Sequence, residues 1–205
     1  IQNQILDTTK LGYGGLPHRL VDVKPTVYTL SNAVAVYLNP SSKYYLDNFL
    51  YDRMLLAMDF IKGNQRADGT FDFPSCNFMS TPDTAFCLKR LISCYKLLIK
   101  YGNTDKTTTL SNVFLSIINP AIIGVMNGGF HTPNHRWAIT ASLLQCSNIF
   151  KDDAPFSVAL KSRANQYLAE GIDCNADGEY AEKSTGNYNA VVNSAFISCY
   201  EETSD

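Results

Sequence analysis

The chain is poor in several features that would name a function outright. It has three histidines, one tryptophan and no C-x-x-C pair among its six cysteines, and 17 Lys+Arg against 19 Asp+Glu leave a formal net charge of −2. So even a balance gives no basic footprint for nucleic acid or for an anionic membrane surface, and a nucleic-acid reader is excluded. No uninterrupted apolar run approaches the ~20 residues a membrane span needs, so no span is expected. The opening Ile1-Gln2-Asn3-Gln4 has neither an initiator methionine nor a charged-then-apolar profile, so the expected start is a processed or trimmed end rather than a signal peptide. Cys76, Cys87, Cys94, Cys146, Cys174 and Cys199 are scattered, mostly within apolar helical stretches. They read as buried free thiols rather than a disulfide framework or zinc site, which points toward a reducing compartment and leaves localisation open.

What is present is a globular composition. With 45% hydrophobic and 12% aromatic residues over 205 positions, the chain can build one domain with a proper core. Apolar residues recurring at i, i+3, i+4 and i+7 predict helices over 26–38, 45–63, 83–101, 108–126, 135–150, 155–171 and 189–201, with only weak alternation anywhere to suggest a strand. Start signals support these boundaries: Thr81-Pro82-Asp83, Asn134 as cap before His135, and Asp153-Ala154-Pro155. Pro120 is expected to kink or split the fourth helix.

A glycine followed closely by an aromatic recurs in Asp68-Gly69-Thr70-Phe71, Gly128-Gly129-Phe130 and Asp177-Gly178-Glu179-Tyr180. The spacing is that of one helix pair plus its connections, so the expected fold is all-α, with repeated αα-hairpins whose glycine loops share one rim. Two readings of these loops stand: aromatics paving a groove floor, or helix stops with an anchoring ring. A closed toroid takes about a dozen helices. Seven therefore predict a partial (α/α) toroid or a shorter open array over 1–205, and the ending Glu201-Glu202-Thr203-Ser204-Asp205 suits a cut boundary.

The densest concentration of chemistry runs from Asn127 to Trp137, with His131, His135, Arg136 and an Asn134-His135 pair at a helix start. The positive end of the helix dipole disfavours protonated His135. A neutral imidazole beside an amide can donate hydrogen bonds to a carboxylate or oxyanion. His131 and His135 have metal-ligand spacing, but the intervening Pro133 spoils it and no metal or other cofactor is expected. The third loop, Asp173 to Tyr188, is acidic, and Tyr188 opens the last helix as a candidate acid and base. A phenol with an ordinary pKa of about 10 needs a polar or cationic neighbour for that task. Asp173, Asp177, Glu179 and Glu182 lack the closing glutamate of a calcium loop. The first loop, Arg66 to Thr81, mixes rings with Asn77 and aspartates, a composition suited to sugar.

The segments Asp68-Gly69-Thr70-Phe71, Thr132-Pro133-Asn134-His135-Arg136-Trp137, Glu170-Gly171-Ile172-Asp173 and Asp177-Gly178-Glu179-Tyr180 through Thr185-Gly186-Asn187-Tyr188 resemble the helical-toroid domain of heparinase II/III-like polysaccharide lyases, over residues 45–200. The resemblance implies β-elimination of a uronic-acid-containing polysaccharide. Asn134 and His135 would neutralise the uronate carboxylate, and Tyr188 would abstract the C5 proton and protonate the leaving oxygen. Asn77, His131, Arg136, Trp137, Glu179 and Glu182 would bind sugar or, for the glutamates, hold the tyrosine loop. The implied partners are an acidic polysaccharide or oligosaccharide and a β-sandwich domain of the same parent chain, which in that family adds a further histidine. Near-neutral charge favours a non-sulfated uronide. Two rivals remain open: an α/α-barrel glycoside hydrolase using carboxylates from Asp68, Asp72, Asp177, Glu179 and Glu182, and a carbohydrate-binding helical-repeat module without activity.

Overall fold

Five helices start where a side chain closes the first turn. Asp22 accepts from the Lys24 amide (2.8 Å) to open α1, Val23–Leu38, and Asp47 accepts from the Leu50 amide (2.7 Å) to open α2, Asn48–Gly63. Ser80 opens α3, Thr81–Tyr101, with Pro82 in the first turn, where no intrahelical N–H is needed. Thr104 and Thr107 cap each other reciprocally at α4, Asp105–Asn127, and Asp153 opens α6, Ala154–Leu168. The remaining two, α5 at Pro133–Ile149 and α7 at Tyr188–Thr203, have no side-chain bond from their own cap residues Thr132 and Asn187. The computed structural model describes residues 1–184 and 186–204; Thr185, which forms part of the resemblance, and Asp205 lie outside the described residues.

The chain is thus mostly helical, and all seven expected helices occur, with starts shifted by up to three residues. A small antiparallel hairpin, β1 at Phe71–Phe73 and β2 at Asn77–Ser80, corrects the expectation of no strand. Strands of three and four residues are too short to display an alternating pattern in sequence. α4 runs unbroken through Pro120 rather than splitting there; the Ile117 carbonyl, one turn earlier, accepts from the Gln65 side chain (3.1 Å). α4 is also long and apolar enough to cross a membrane, with hydropathy 1.6, so the absence of a candidate span does not hold by length and composition. Half of that window is buried within the fold, the pattern of a core helix, so the span evidence is weak.

Side-chain pairs give the directions of the odd-numbered helices. Lys24 meets Asp83 and Tyr28 meets Arg90 between α1 and α3; Lys89 meets Ser194 and Lys96 meets Glu202 between α3 and α7. Trp137 meets Phe196 and Asn148 meets Glu202 between α5 and α7. Each set advances in the same sense along both helices, so these helices run parallel and their N-terminal ends lie at one end of the fold. α2 packs on α1, α4 on α3 and α6 on α5. One continuous hydrophobic cluster, including Tyr37, Met54, Phe71, Phe114 and Trp137, joins them. Each fully buried side chain of this kind contributes about 1.5–3 kcal/mol.

The glycine loops sit at that same end, ahead of α3, α5 and α7. Gly69 has φ +88°, and a Cβ there would lie 1.8 Å from the Pro120 carbonyl oxygen, so the first loop is seated against α4 backbone. Of the two readings of the loop aromatics, anchoring is the one seen. Phe71 is wholly buried, Phe130 packs edge-on to Tyr167 (5.5 Å), and Tyr180 packs on Phe196 (6.3 Å) while its hydroxyl donates to Asn193 (2.6 Å). All six cysteines are free thiols; Cys87, Cys94, Cys146 and Cys199 are buried, whereas Cys76 and Cys174 are exposed.

Candidate functional site

The start of α5 is closed from a distance. Thr132 takes the cap position, so Asn134 is the second residue of the helix and not its cap. The Asn134 amide N–H donates to Glu182 Oε2 (2.6 Å), and its side-chain Nδ2 donates to Glu182 Oε1 (2.7 Å) and to Thr132 Oγ1 (3.0 Å). A carboxylate 48 residues downstream thereby satisfies a backbone donor that the local sequence leaves open. Asn134 is 3% exposed, with its amide occupied by this contact.

His135, the next residue, is half-buried. Its ring packs edge-on to Phe86 (5.7 Å) and to His131 (6.0 Å), and its Nδ1 is buried without a hydrogen-bond partner. Burial pushes its pKa below the ordinary imidazole value; His131 and Lys24 push the same way, while Asp83 and Glu182 oppose. The neutral form expected from the helix dipole is therefore favoured first by desolvation. Lys24, from the start of α1, forms an ion pair with Asp83 and lies over Phe73 (4.4 Å) and Phe86 (5.7 Å). Asp83 also accepts from the Ser80 hydroxyl (2.6 Å), which in turn accepts from Asn77 Nδ2 (2.9 Å). Asn77 thus reaches this cluster through two intermediaries.

Two expected sugar contacts are corrected. Arg136 is 3% and Trp137 2% exposed, because α5 is the central helix, packed against α3, α4, α6 and α7. Arg136 bonds Glu170 (2.6 Å), the Gly171 carbonyl (2.7 Å) and Asp173, and its guanidinium lies over Trp137 (4.7 Å). It clamps the entry to the third loop and has no face for a polymer. Beyond it, Asn175 Oδ1 accepts from the amides of Asp177 and Glu179, folding the Gly178 turn, and exposed Glu179 is held by Asn175 and Lys183. Asp173 is therefore spent on Arg136, and no group of three metal-ligating side chains occurs among the described residues.

The loop returns through Glu182. Its carbonyl accepts from the Ser184 amide (2.8 Å), and the Asn189 amide donates to the Ser184 carbonyl (3.4 Å), which carries the chain into α7. Tyr188 is the first residue of that helix and 48% exposed; its hydroxyl makes no hydrogen bond to the described residues. The structure thus gathers Asn134, His131, His135 and Glu182 with Lys24, Asp83 and Phe86, and ties the loop before Tyr188 to them through Glu182. Glu179 stays on the outer turn. Lys24, Asp83 and Phe86 were not expected here: Lys24 and Asp83 stand 59 residues apart, with no local motif joining them. Compared with models of known families, with curated proteins and with solved structures, the chain gives no match.

Proposed function

We propose that this chain is the helical part of a polysaccharide lyase, a partial α/α toroid of αα-hairpin repeats that cleaves uronic-acid-containing polysaccharide by β-elimination. The toroid reading is supported by the parallel run of α1, α3, α5 and α7, each backed by the helix that follows it where one exists among the described residues. The observation that carries the chemistry is the bond between Asn134 and Glu182, because it holds the start of α5, with His135, beside the loop that delivers Tyr188. A proton next to a carboxylate is nearly inert until that negative charge is quenched.

In this reading neutral His135 donates a hydrogen bond to the uronate, while Asn134, buried and bonded to Glu182 through its backbone and side-chain amides, holds the start of α5 in place rather than touching sugar. Tyr188 takes the C5 proton on its phenol oxygen, a role that requires a cationic or hydrogen-bonding neighbour to be supplied by the substrate complex or by the β-sandwich domain. The electrons of the C5–H bond form the C4–C5 double bond, the C4–O4 bond breaks, and the phenol returns its proton to O4. A β-sandwich domain of the same parent chain facing this end supplies further contacts. Incubating the protein with non-sulfated uronate polymers tests the proposal. A rise in near-ultraviolet absorbance is expected from unsaturated ends. New reducing ends without absorbance mean hydrolysis, and neither means a binding module; either result removes the lyase reading. The hydrolase rival draws little support, since Asp72 is paired with Arg66 and held below the usual carboxylate range, and Asp68 accepts from the Thr70 amide and hydroxyl. Such a carboxylate is ill suited to the protonated role of a general acid.

A further inference from the structure

One helical turn inside the rim, the parallel helices line a half-open cavity of about 220 Å³. That lies below the roughly 300–1,000 Å³ of a drug-sized site, so it accommodates one small unit rather than a chain segment. The space exists because Ala138 and Ala141 of α5 face alanines of α7. Its walls carry two cations. Lys89 is half-buried and bonds the Ser194 hydroxyl, and Arg90 lies 4.9 Å over the Tyr28 ring. Neither forms an ion pair among the described residues. Burial lowers the Lys89 pKa, Arg90 adds to this and Glu201 opposes it. A partly desolvated cation without a counter-ion is an unpaid cost that an arriving anion removes. Phe86 lines this cavity and packs edge-on against His135 (5.7 Å), so one ring separates the space from the imidazole.

We propose that this cavity is a subsite for a carboxylate-bearing sugar, with Lys89 and Arg90 gripping the carboxylate and Tyr28 and Phe86 flanking the ring. Stacking against Tyr28 leaves the guanidinium edge open for a two-pronged bond to a carboxylate. Only the placement of this sugar next to the cleaved unit rests on the lyase reading.

Calorimetric titration with glucuronate, glucose and inorganic sulfate tests it. Glucuronate binds, and glucose and sulfate each bind at least about tenfold more weakly, as expected when ring and charge are both read. Arg90→Gln removes the exposed cation and Ala141→Leu fills the space; each weakens glucuronate by about tenfold or more. Glucose or sulfate binding as tightly as glucuronate overturns the assignment, as does wild-type affinity in both variants. Glucuronate binding that both variants weaken, in a protein that performs no elimination, keeps the subsite and removes the lyase reading. Elimination with a KM that neither variant changes keeps the lyase and removes the subsite.

Discussion

Helices α1 to α4 and α6 close their first turn with a side chain immediately before it, whereas α5 and α7, which bring His135 and Tyr188, do not. The first group forms from local sequence and serves as scaffold. The start of α5 instead depends on Glu182, so its geometry is set only when the third loop has docked. Leaving a helix start to be completed by a distant carboxylate couples the placement of His135 to the docking of the third loop, at the expense of local stability.

The sharpest way to break this comparison is Tyr188→Phe. The phenol is half-exposed and bonds nothing described, so helicity and melting temperature stay at wild-type values while turnover on uronate polymer falls by about 10²–10⁴-fold. Retained turnover moves the base elsewhere. A paired substitution comes next. Glu182→Ala and Asp47→Ala each remove a helix-start contact and each lower stability by about 0.5–2 kcal/mol in denaturant unfolding. Glu182→Ala alone also lowers turnover, by as much as about 10²-fold, because misplacing a reacting group by 1 Å carries that penalty. Equal activity in the two variants erases the distinction between scaffold and site helices.

The smallest effect is in pH. Burial depresses the folded-state pKa of His135, so the folded chain takes up its proton less readily than the unfolded chain. The corresponding stability is complete above the unfolded value of about 6.5 and is lost as pH falls from there toward the lower folded value. Melting temperatures measured across this window decline less steeply in His135→Gln than in wild type. Identical slopes show that the imidazole is not desolvated as described.

Much of the fold was legible in sequence because helix signals are local. Asp153 marks a real start, Pro82 sits in the first turn of α3 as expected although Ser80 and not Thr81 caps it, and 3.6-residue periodicity finds every helix. The candidate site was legible only in part. Asn134-His135 and Tyr188 stand out as polar residues at loop ends, but Arg136 and Trp137 in the same run are buried, since a central helix is enclosed on nearly every side whatever its polarity. The β-hairpin was missed because Phe71 and Phe73 are too few to show a period.

By itself the sequence determined a helical chain with caps, glycine stops and a near-neutral charge, because each of these depends on residues within a few positions of one another. Tertiary structure alone decided that Glu182 meets Asn134, that Lys24 and Asp83 face His135, and that Lys89 and Arg90 line one cavity. Such contacts join residues far apart in sequence, Lys89 and Ser194 being 105 positions apart, and they form only when the helices pack. Burial, which sets the charge state of His135, arises in the same step and has no counterpart in the unfolded chain.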